Sequence, residues 1–169
     1  MSGRIFLLGD NIDTDQLAPG QYMRGGIAEI AAHCLEAVRP DFATSVRPGD
    51  IVLAGRNFGL GSSREQAAEA LKYLGVAGVV ALSFAGIFYR NAINLGLPVV
   101  VVAGSLAGIE DGDPAVLDMD ANQLRLLRKE RALPFEPLPD NLKRMLADGG
   151  LVPHLKRRFA AGRKDETRA

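Results

Sequence analysis

Residues 51–64 read Ile-Val-Leu-Ala-Gly-Arg-Asn-Phe-Gly-Leu-Gly-Ser-Ser-Arg, and this stretch decides the fold. The four apolar residues at its start predict a short buried strand. Three glycines follow, so residues 55–63, the glycine-rich loop, are predicted to take left-handed or closely packed backbone conformations. Ser63 is a good N-cap and Gln66 lies three residues later, as in a capping box, which predicts that a helix begins at Ser63.

The same alternation of apolar runs and helical spacing continues to residue 102. The first helix is predicted to end near Leu74, before Gly75. Beyond it the pattern predicts a buried strand, a helix and a second buried strand, at residues 77–82, 84–95 and 98–102. Strand, helix, strand, helix and strand with short connections indicate an α/β core with parallel pairing.

The patterns on either side of this core are weaker. We predict strands at residues 5–8, 115–119 and 123–127, and helices at residues 27–38, 140–147 and 151–161. Pro134, Pro137 and Pro139 are predicted to break regular structure. Neither a repeat nor a linker divides the sequence, so we predict one domain at residues 1–161 and a polar tail at residues 162–169.

Composition disfavours several classes of partner. The 169 residues are 47% hydrophobic and 24% charged, with 20 basic and 20 acidic side chains, so no overall field attracts nucleic acid or an anionic membrane. No signal peptide or membrane-spanning run is expected. The single cysteine, Cys34, cannot form an intrachain disulfide or a three-cysteine metal site. Cys34 is predicted to pack on an apolar helix face, and it fits a cytoplasmic location.

The glycine-rich loop delivers Ser62, Ser63 and Arg64 to the start of a helix. Free N–H groups and the helix dipole favour an anion there, and a guanidinium can hold a carboxylate through two hydrogen bonds. The same features would stabilise a serine alkoxide, without which serine is a poor base. A capped helix after a flexible loop accounts for the spacing equally well.

The loop does not match common nucleotide-binding patterns, because no Gly-Lys-Ser/Thr follows the glycines and the dinucleotide spacing is absent. A Ser–His–Asp hydrolase is disfavoured, since the two histidines, His33 and His154, lie far from the loop in sequence. We interpret His33 as a helix-face residue and His154 as a surface residue.

Two further clusters carry polar side chains. The Asp-rich segment, residues 10–15, could form a divalent-cation loop, but it lacks the glycine and glutamate spacing of an EF-hand. An Asx-rich turn, in which carboxylates cap backbone N–H groups, is favoured instead. Arg24 lies on a glycine-flanked loop, where an arginine is commonly a solvated charge; the alternative is a mobile substrate clamp.

Several segments resemble the small subunit of 3-isopropylmalate dehydratase, which is similar to the C-terminal swivelling domain of aconitase. They span most of the chain, at residues 9–16, 48–51, 55–65, 83–91, 94–98 and 149–155. The Gly-Ser-Ser-Arg-Glu motif after Asn-Phe-Gly is the most specific of them. The resemblance implies a compact swivelling β/β/α domain. It also implies a hydro-lyase that isomerises 2- and 3-isopropylmalate by dehydration and rehydration, in leucine biosynthesis.

The resemblance also implies roles for single residues. Ser62 matches the family's catalytic base, whose alkoxide takes the proton from the carbon beside a substrate carboxylate. Ser63 and Arg64 match residues that bind that carboxylate. Asp15 matches an active-site aspartate, and Arg24 matches the loop position that reads the substrate's variable side group.

No metal or cofactor is expected on this chain. By resemblance, a [4Fe–4S] cluster that acts as a Lewis acid on the substrate hydroxyl would lie on a large partner subunit, together with its three cysteines. A half-site with Arg24, Ser62 and Arg64 has no low-dielectric cover unless another protein supplies it. We therefore expect a substantial interface with a cluster-bearing large subunit around these loops, and a small hydroxy-dicarboxylate or tricarboxylate as substrate.

Three positions depart from the family pattern. Gln66 replaces the usual histidine after Ser-Ser-Arg-Glu, and activity is expected to survive with Gln66 in a capping or supporting role. Leu60 replaces a common cysteine. The substrate loop reads Tyr-Met-Arg-Gly, and an arginine suits an extra carboxylate, so the small subunit of homoaconitase or of 2,3-dimethylmalate dehydratase is an alternative. A non-catalytic carboxylate-binding regulatory module is the alternative from another class.

Overall fold

Seven strands form a single curled sheet at the centre of the molecule. The computed structural model describes residues 2–166, and the side chains of residues 2–160. Across the sheet the strand order is β4-β3-β2-β1-β5-β6-β7. The strands are β1 Gly3–Leu7, β2 Ile51–Ala54, β3 Gly78–Ala81, β4 Val99–Val101, β5 Pro114–Asp118, β6 Gln123–Leu126 and β7 Arg131–Pro134.

The sheet changes from parallel to antiparallel pairing at β1. Strands β1 to β4 pair in parallel, whereas β5, β6 and β7 form an antiparallel meander joined to β1. A bridge between Val102 and Phe135 brings the two edges of the sheet together, so the sheet curls. The parallel half confirms the predicted strand-helix-strand-helix-strand core and the α/β class.

The curl explains why β2 and β3 are buried along their whole length. Alternate side chains of a strand point to opposite faces of a sheet. Val52 and Ala54 pack in the cluster beneath the helices, whereas Ile51 and Leu53 pack in a second cluster shared with β5, β6 and β7. Both faces of the parallel half are therefore covered, as is usual for parallel strands.

Helices cover one face of the parallel half. Helix α4 packs against α1, α2 and α5, and α5 also contacts α6 and α7. None of the helices within residues 2–166 is long and apolar enough to cross a membrane. The helices are α1 Thr14–Leu17, α2 Ile27–Ala32, α3 Phe42–Ser45, α4 Glu65–Tyr73, α5 Gly86–Leu95, α6 Asp140–Ala147 and α7 Leu151–Glu166, with a 3-10 turn at Gly20–Tyr22.

Helix α2 is shorter than the helix predicted at residues 27–38. It ends at Ala32, and Leu35 takes a left-handed conformation with a φ of 62°. The Leu35 side chain is fully buried, and its N–H donates to the Gln16 carbonyl at 2.7 Å. This contact with the preceding loop outweighs the helical spacing of the sequence.

Helix α4 begins at Glu65 rather than at Ser63. Arg64 is its N-cap residue, and its extended conformation, with a ψ of 108°, prevents an earlier helical turn. No side chain caps the first turn, so the predicted capping box between Ser63 and Gln66 is wrong. The first N–H groups of α4 therefore have no side-chain partner there.

The C-terminal part contains a strand that the sequence did not predict. Strand β7 pairs with β6 and ends at Pro134, which is tolerated because it closes a strand at the edge of the sheet. Helix α7 continues to Glu166, beyond the predicted end at residue 161, and residues 167–169 lie outside the described part of the chain. The division into a domain at residues 1–161 and a tail stays a prediction.

Asp113 ties the turn before β5 to the turn between β6 and β7. It is only 6% exposed, and its carboxylate accepts hydrogen bonds from the Glu110 N–H at 2.9 Å and from the Lys129 ammonium at 2.7 Å. The bonds with Lys129 and Glu110 hold the pKa of Asp113 below its usual value. The pKa of Asp113 is lower in the folded than in the unfolded protein, so its carboxylate stabilises the fold above about pH 4. This stabilisation is lost as the pH falls through the folded pKa of Asp113.

We expect Asp113→Asn to lower the thermal unfolding midpoint by several degrees at neutral pH. The difference in unfolding midpoint between Asp113→Asn and the natural protein should shrink as the pH falls toward the folded pKa of Asp113, because the aspartic acid and the asparagine are then both uncharged. Thermal unfolding followed by circular dichroism across a pH series measures this. The control is Asp120→Asn, which changes an exposed carboxylate to which no described side chain donates a hydrogen bond. A difference that stays constant with pH would contradict the prediction.

Candidate functional site

The Asp-rich segment and the glycine-rich loop lie side by side at one edge of the sheet. They follow β1 and β2, which are parallel neighbours, so their carboxyl ends reach the same edge. Backbone hydrogen bonds continue beyond the strands, from the Asn11 N–H to the Arg56 carbonyl and from the Thr14 N–H to the Leu60 carbonyl, both at 2.8 Å. This ladder brings the two polar clusters of the sequence into contact.

Carboxylates of the Asp-rich segment bind backbone N–H groups. Asp10 accepts a hydrogen bond from the Arg56 N–H at 2.7 Å. Asp13 accepts one from the Gln16 N–H at 2.8 Å, and the Gln16 side chain accepts one from the Asp13 N–H at 3.0 Å, a capping box at the start of α1. The predicted Asx-rich turn is confirmed. Within residues 2–166, no group of three or more His, Cys, Asp or Glu could hold a metal ion.

Ser62 is held at the surface by a buried threonine. The Ser62 N–H donates to Thr14 Oγ1 at 3.0 Å, and the two hydroxyl oxygens lie 3.1 Å apart. Thr14 is 1% exposed, whereas Ser62 is exposed. Gly61 turns the chain with a φ of 109°, and a Cβ there would lie 3.0 Å from Thr14 Oγ1. A glycine thus allows the close approach of Ser62 to Thr14.

The Thr14 hydroxyl can act on Ser62 as a donor. A hydroxyl has one donated proton and two acceptor lone pairs. One lone pair accepts the Ser62 N–H, and the Thr14 proton remains available for Ser62 Oγ. Thr14 was not among the residues predicted from the sequence, where its place between Asp13 and Asp15 in the Asp-rich segment was the only indication.

Arg64 links the glycine-rich loop to the segment that follows α1. Its guanidinium forms an ion pair with Asp15 and donates from Nη1 to the Ala18 carbonyl at 3.2 Å. The Arg64 side chain is 29% exposed and that of Asp15 is 69% exposed. Such a surface pair contributes about 0–1 kcal/mol because water screens it. Another carboxylate could therefore replace Asp15 beside Arg64 at little cost in stability.

Three aromatic rings fix the far side of the glycine-rich loop. Phe58 packs edge-on against Phe84 and Phe88, with ring centroids 5.9 and 5.2 Å away. A Cβ at Gly59, which has a φ of 78°, would lie 2.2 Å from the Phe88 ring. The Ser63 carbonyl accepts a hydrogen bond from the Asn91 side chain at 3.3 Å, again from α5. The loop is thus anchored to the sheet edge and to α5 at the same time.

Arg24 lies apart from this group of side chains. It is exposed and follows the 3-10 turn at Gly20–Tyr22. Among the described residues its guanidinium has no hydrogen bond or ion pair with Asp15, Ser62, Ser63 or Arg64. Ser62 contacts Thr14, and Arg64 contacts Asp15, the residue after Thr14, so the structure brings Asp15, Ser62 and Arg64 together. It places Arg24 on the adjoining loop.

Neither histidine contacts Ser62. The ring of His33 stacks on Tyr22 and its Nδ1 lies 2.6 Å from Glu36, whereas His154 Nδ1 lies 2.7 Å from Asp148. His33 is the C-cap residue of α2 rather than part of its face. No Ser–His pair of a hydrolase is formed by the described residues.

Cys34 is fully buried in the cluster beneath the helices, so its predicted packing as an apolar residue is confirmed, but it lies beyond the end of α2 rather than on a helix face. Burial raises the pKa of its thiol, because a charged thiolate would be desolvated there. The cysteine is therefore a neutral packing residue, and a cluster held by cysteine thiolates does not fit this chain.

Comparison with known proteins places this geometry in a family. The family model described as the aconitase C-terminal domain matches residues 16–103. The methanogen homoaconitase small subunit of Methanothermobacter thermautotrophicus is 47% identical over 95% of this chain and 93% of its own length. The 3-isopropylmalate dehydratase small subunit 1 of Methanopyrus kandleri is 49% identical over 92% of each chain.

A solved structure has the same fold. The crystal structure of 3-isopropylmalate dehydratase from Methanocaldococcus jannaschii superposes with a TM-score of 0.90 and 41% identity, over 97% of this chain and 98% of that one. The expected swivelling β/β/α domain is thereby confirmed. On the match of its parallel core, its site-bearing loops and most of its length, the chain belongs to the family of the aconitase C-terminal domain.

Proposed function

We propose that this chain is the small subunit of a 3-isopropylmalate dehydratase, which interconverts 2- and 3-isopropylmalate by dehydration and rehydration in leucine biosynthesis. One observation carries the proposal: Ser62, Arg64 and Asp15 share one exposed edge. Support also comes from relatives named 3-isopropylmalate dehydratase small subunit, which are 46–49% identical over 92% of the chain.

Ser62 is the proposed base. The Thr14 hydroxyl, the Arg64 charge and the start of α4 would each stabilise an alkoxide at Ser62 Oγ. The alkoxide takes a proton from the carbon beside a substrate carboxylate. The electron pair of that C–H bond becomes the new double bond as the hydroxyl leaves the neighbouring carbon. An acid proposed on the partner large subunit protonates the leaving hydroxyl, so one water is released. Rehydration reverses these steps and can return the hydroxyl to the other carbon.

Arg64 is the proposed partner of the substrate carboxylate. Its ion pair with Asp15 lies at the surface and is readily exchanged. A substrate carboxylate beside Arg64 would also lie near the first N–H groups of α4, which have no side-chain cap. Ser63, exposed between Ser62 and Arg64, is proposed to bind the same carboxylate. Asp15 is proposed to hold the guanidinium in place until substrate arrives.

A large subunit is proposed to complete the site. The serine, the arginine and Asp15 are open to solvent on this chain, and an alkoxide needs a drier environment than bulk water. The partner is proposed to carry the [4Fe–4S] cluster, since the only cysteine of this chain is buried. Departure of the hydroxyl is assigned to that partner. The free, buried thiol also fits the proposed cytoplasmic location.

A homoaconitase small subunit is the second candidate, and Arg24 is the observation that favours it. Arg24 is exposed on the loop that adjoins Asp15 and Arg64, where it could bind a third carboxylate. A 2,3-dimethylmalate dehydratase subunit is a further variant of the same reaction. A non-catalytic carboxylate-binding module would use Arg64 in the same way but would need no base at Ser62.

Ser62→Ala tests the base in the complex with the large subunit. Co-expression with that partner should give a brown complex with hydratase activity, and the isolated small chain should be colourless and inactive. We expect Ser62→Ala to reduce kcat by about 10²–10⁴-fold, the range for loss of a positioned base. Ser105→Ala, at an exposed loop distant in sequence, is the control and should keep full activity. Near-normal activity of Ser62→Ala would support the non-catalytic module instead.

Thr14 variants test the support of the base. We expect Thr14→Val to reduce kcat by roughly 10- to 100-fold, the effect of one hydrogen bond to a charged group. Loss of that bond raises the pKa of Ser62, so the rising limb of the pH–rate profile should move to higher pH. Thr14→Ser keeps the hydroxyl and should restore both kcat and the profile. Equal kcat and pH profiles in Thr14→Val and the natural protein would remove Thr14 from the mechanism, and unfolding midpoints check that both variants fold.

Arg24 variants test substrate choice. If Arg24 binds an additional carboxylate, Arg24→Leu should lower kcat/KM for homocitrate by roughly 10- to 100-fold. Isopropylmalate and dimethylmalate, which lack that carboxylate, should be affected less. Activity assays with all three substrates give the ratio directly. Arg128→Leu, an exposed arginine at the turn between β6 and β7, is the control. An unchanged ratio in Arg24→Leu would show that Arg24 does not select the substrate.

A further inference from the structure

The loop that carries Arg24 has little backbone structure of its own. Residues 19–26, the Arg24 loop, contain one 3-10 turn, and its N–H bonds are short-range and 3.1–3.3 Å long. Gly25 and Gly26 follow Arg24 directly and are exposed. The direction in which Arg24 points must therefore be set by side chains that hold the loop to the rest of the domain.

Two side chains of this loop pack on the domain: Met23 packs against the cluster beneath the helices, and Tyr22 ties the loop to the end of α2. The Tyr22 ring lies flat on the ring of His33, with centroids 3.6 Å apart and an interplanar angle of 9°. His33 is in turn held by Glu36, whose carboxylate lies 2.6 Å from Nδ1. The other oxygen of Glu36 accepts a hydrogen bond from the Gln21 side chain at 3.5 Å. Gln21 and Tyr22, which are neighbours in the loop, thus both contact the His33–Glu36 pair.

The Arg24 loop is held to the rest of the domain at two points. At its start, Arg64 donates to the Ala18 carbonyl, one residue before the loop. At its middle, Tyr22 stacks on His33, two residues before Arg24. The loop also borders a cavity of about 340 Å³ lined by Asp15, Gly20, Gln21 and Glu36 among others. Glu36, which holds His33, therefore shares a cavity with Asp15 of the candidate site.

We propose that His33, oriented by Glu36, is a positioning residue for substrate choice: it fixes Tyr22 and so the direction of Arg24. This inference rests on the proposed function, because Arg24 is assigned to the substrate there. His33 itself has no contact with Ser62 or Arg64 among the described residues. Its effect is confined to the loop, so it alters binding of the variable substrate group and leaves the serine base intact.

The activity test compares substrates in the reconstituted complex. His33→Ala should raise KM several-fold for whichever substrate Arg24 favours, with a smaller change in kcat. The ratio of kcat/KM values between homocitrate and isopropylmalate should move toward that of Arg24→Leu. Because His33 acts through Arg24, the double variant should stay within about 2-fold of Arg24→Leu alone. Additive losses would overturn the inference.

Trypsin gives a second test that needs no activity. It cleaves after arginine, and the Arg24–Gly25 bond should be cut several-fold faster in His33→Ala because the loop opens more often. Mass spectrometry of the isolated chain identifies the fragment that ends at Arg24. The matched control is His154→Ala, which removes the other His–carboxylate pair and should leave this rate unchanged. Equal cleavage rates in His33→Ala and the natural protein would overturn the inference.

Two milder variants keep the test decisive if His33→Ala fails to fold. His33→Phe retains a ring to stack on Tyr22 but loses the contact with Glu36. Its substrate ratio and its trypsin cleavage rate should therefore fall between those of His33→Ala and the natural protein. Glu36→Gln retains an acceptor for the ring and should resemble the natural protein. If the natural complex were inactive on every hydroxy-acid, the proposed function would fail, while the trypsin rates would still decide whether His33 fixes the loop.

Discussion

The backbone ladder between the loops after β1 and β2 is the constraint on which the candidate site depends. Ser62 and Thr14 are 48 positions apart in sequence, and they meet because two parallel strands end at the same edge and their hydrogen bonds continue into the loops. Gly61 allows the final approach, and Phe58 anchors the loop to α5 from the other side. The loops that carry the site are therefore positioned by main-chain hydrogen bonds, which depend less on side-chain identity than side-chain contacts do.

The exposure of the same edge supports the proposal that a partner completes the site. Buried polar groups must be hydrogen-bonded, and Thr14 satisfies this condition through Ser62. Ser62, Asp15 and most of the loop remain in water, which weakens the attraction between a carboxylate and Arg64. A second protein that excluded this water would strengthen every contact without moving a side chain. An exposed but ordered set of polar residues agrees with the proposal that this chain acts together with a second subunit.

The sequence predicted the parallel core well because its strands are short apolar runs separated by glycine, and local pattern determines them. It failed where a distant contact decides the backbone. Leu35 ends α2 early because its N–H binds the Gln16 carbonyl, and Arg64, rather than Ser63, is the N-cap residue of α4. The motif identified Ser62, Arg64 and Asp15 as candidates, yet Thr14 carried no pattern of its own. Its importance follows only from the proximity that the ladder creates.

The residues proposed for the reaction and the residue proposed for substrate choice are held in place by different kinds of contact. The residues proposed for proton transfer stand on a hydrogen-bonded backbone, whereas Arg24 stands on a loop held by the Tyr22 stack on His33 and the Gln21 bond to Glu36. Side-chain support can change by single substitutions without disturbing the ladder. Relatives named for different substrates are accordingly almost equally similar to this chain, at 47% and 49% identity. Overall identity therefore does not distinguish the two substrates, and we propose that the choice lies in the few residues that orient the loop.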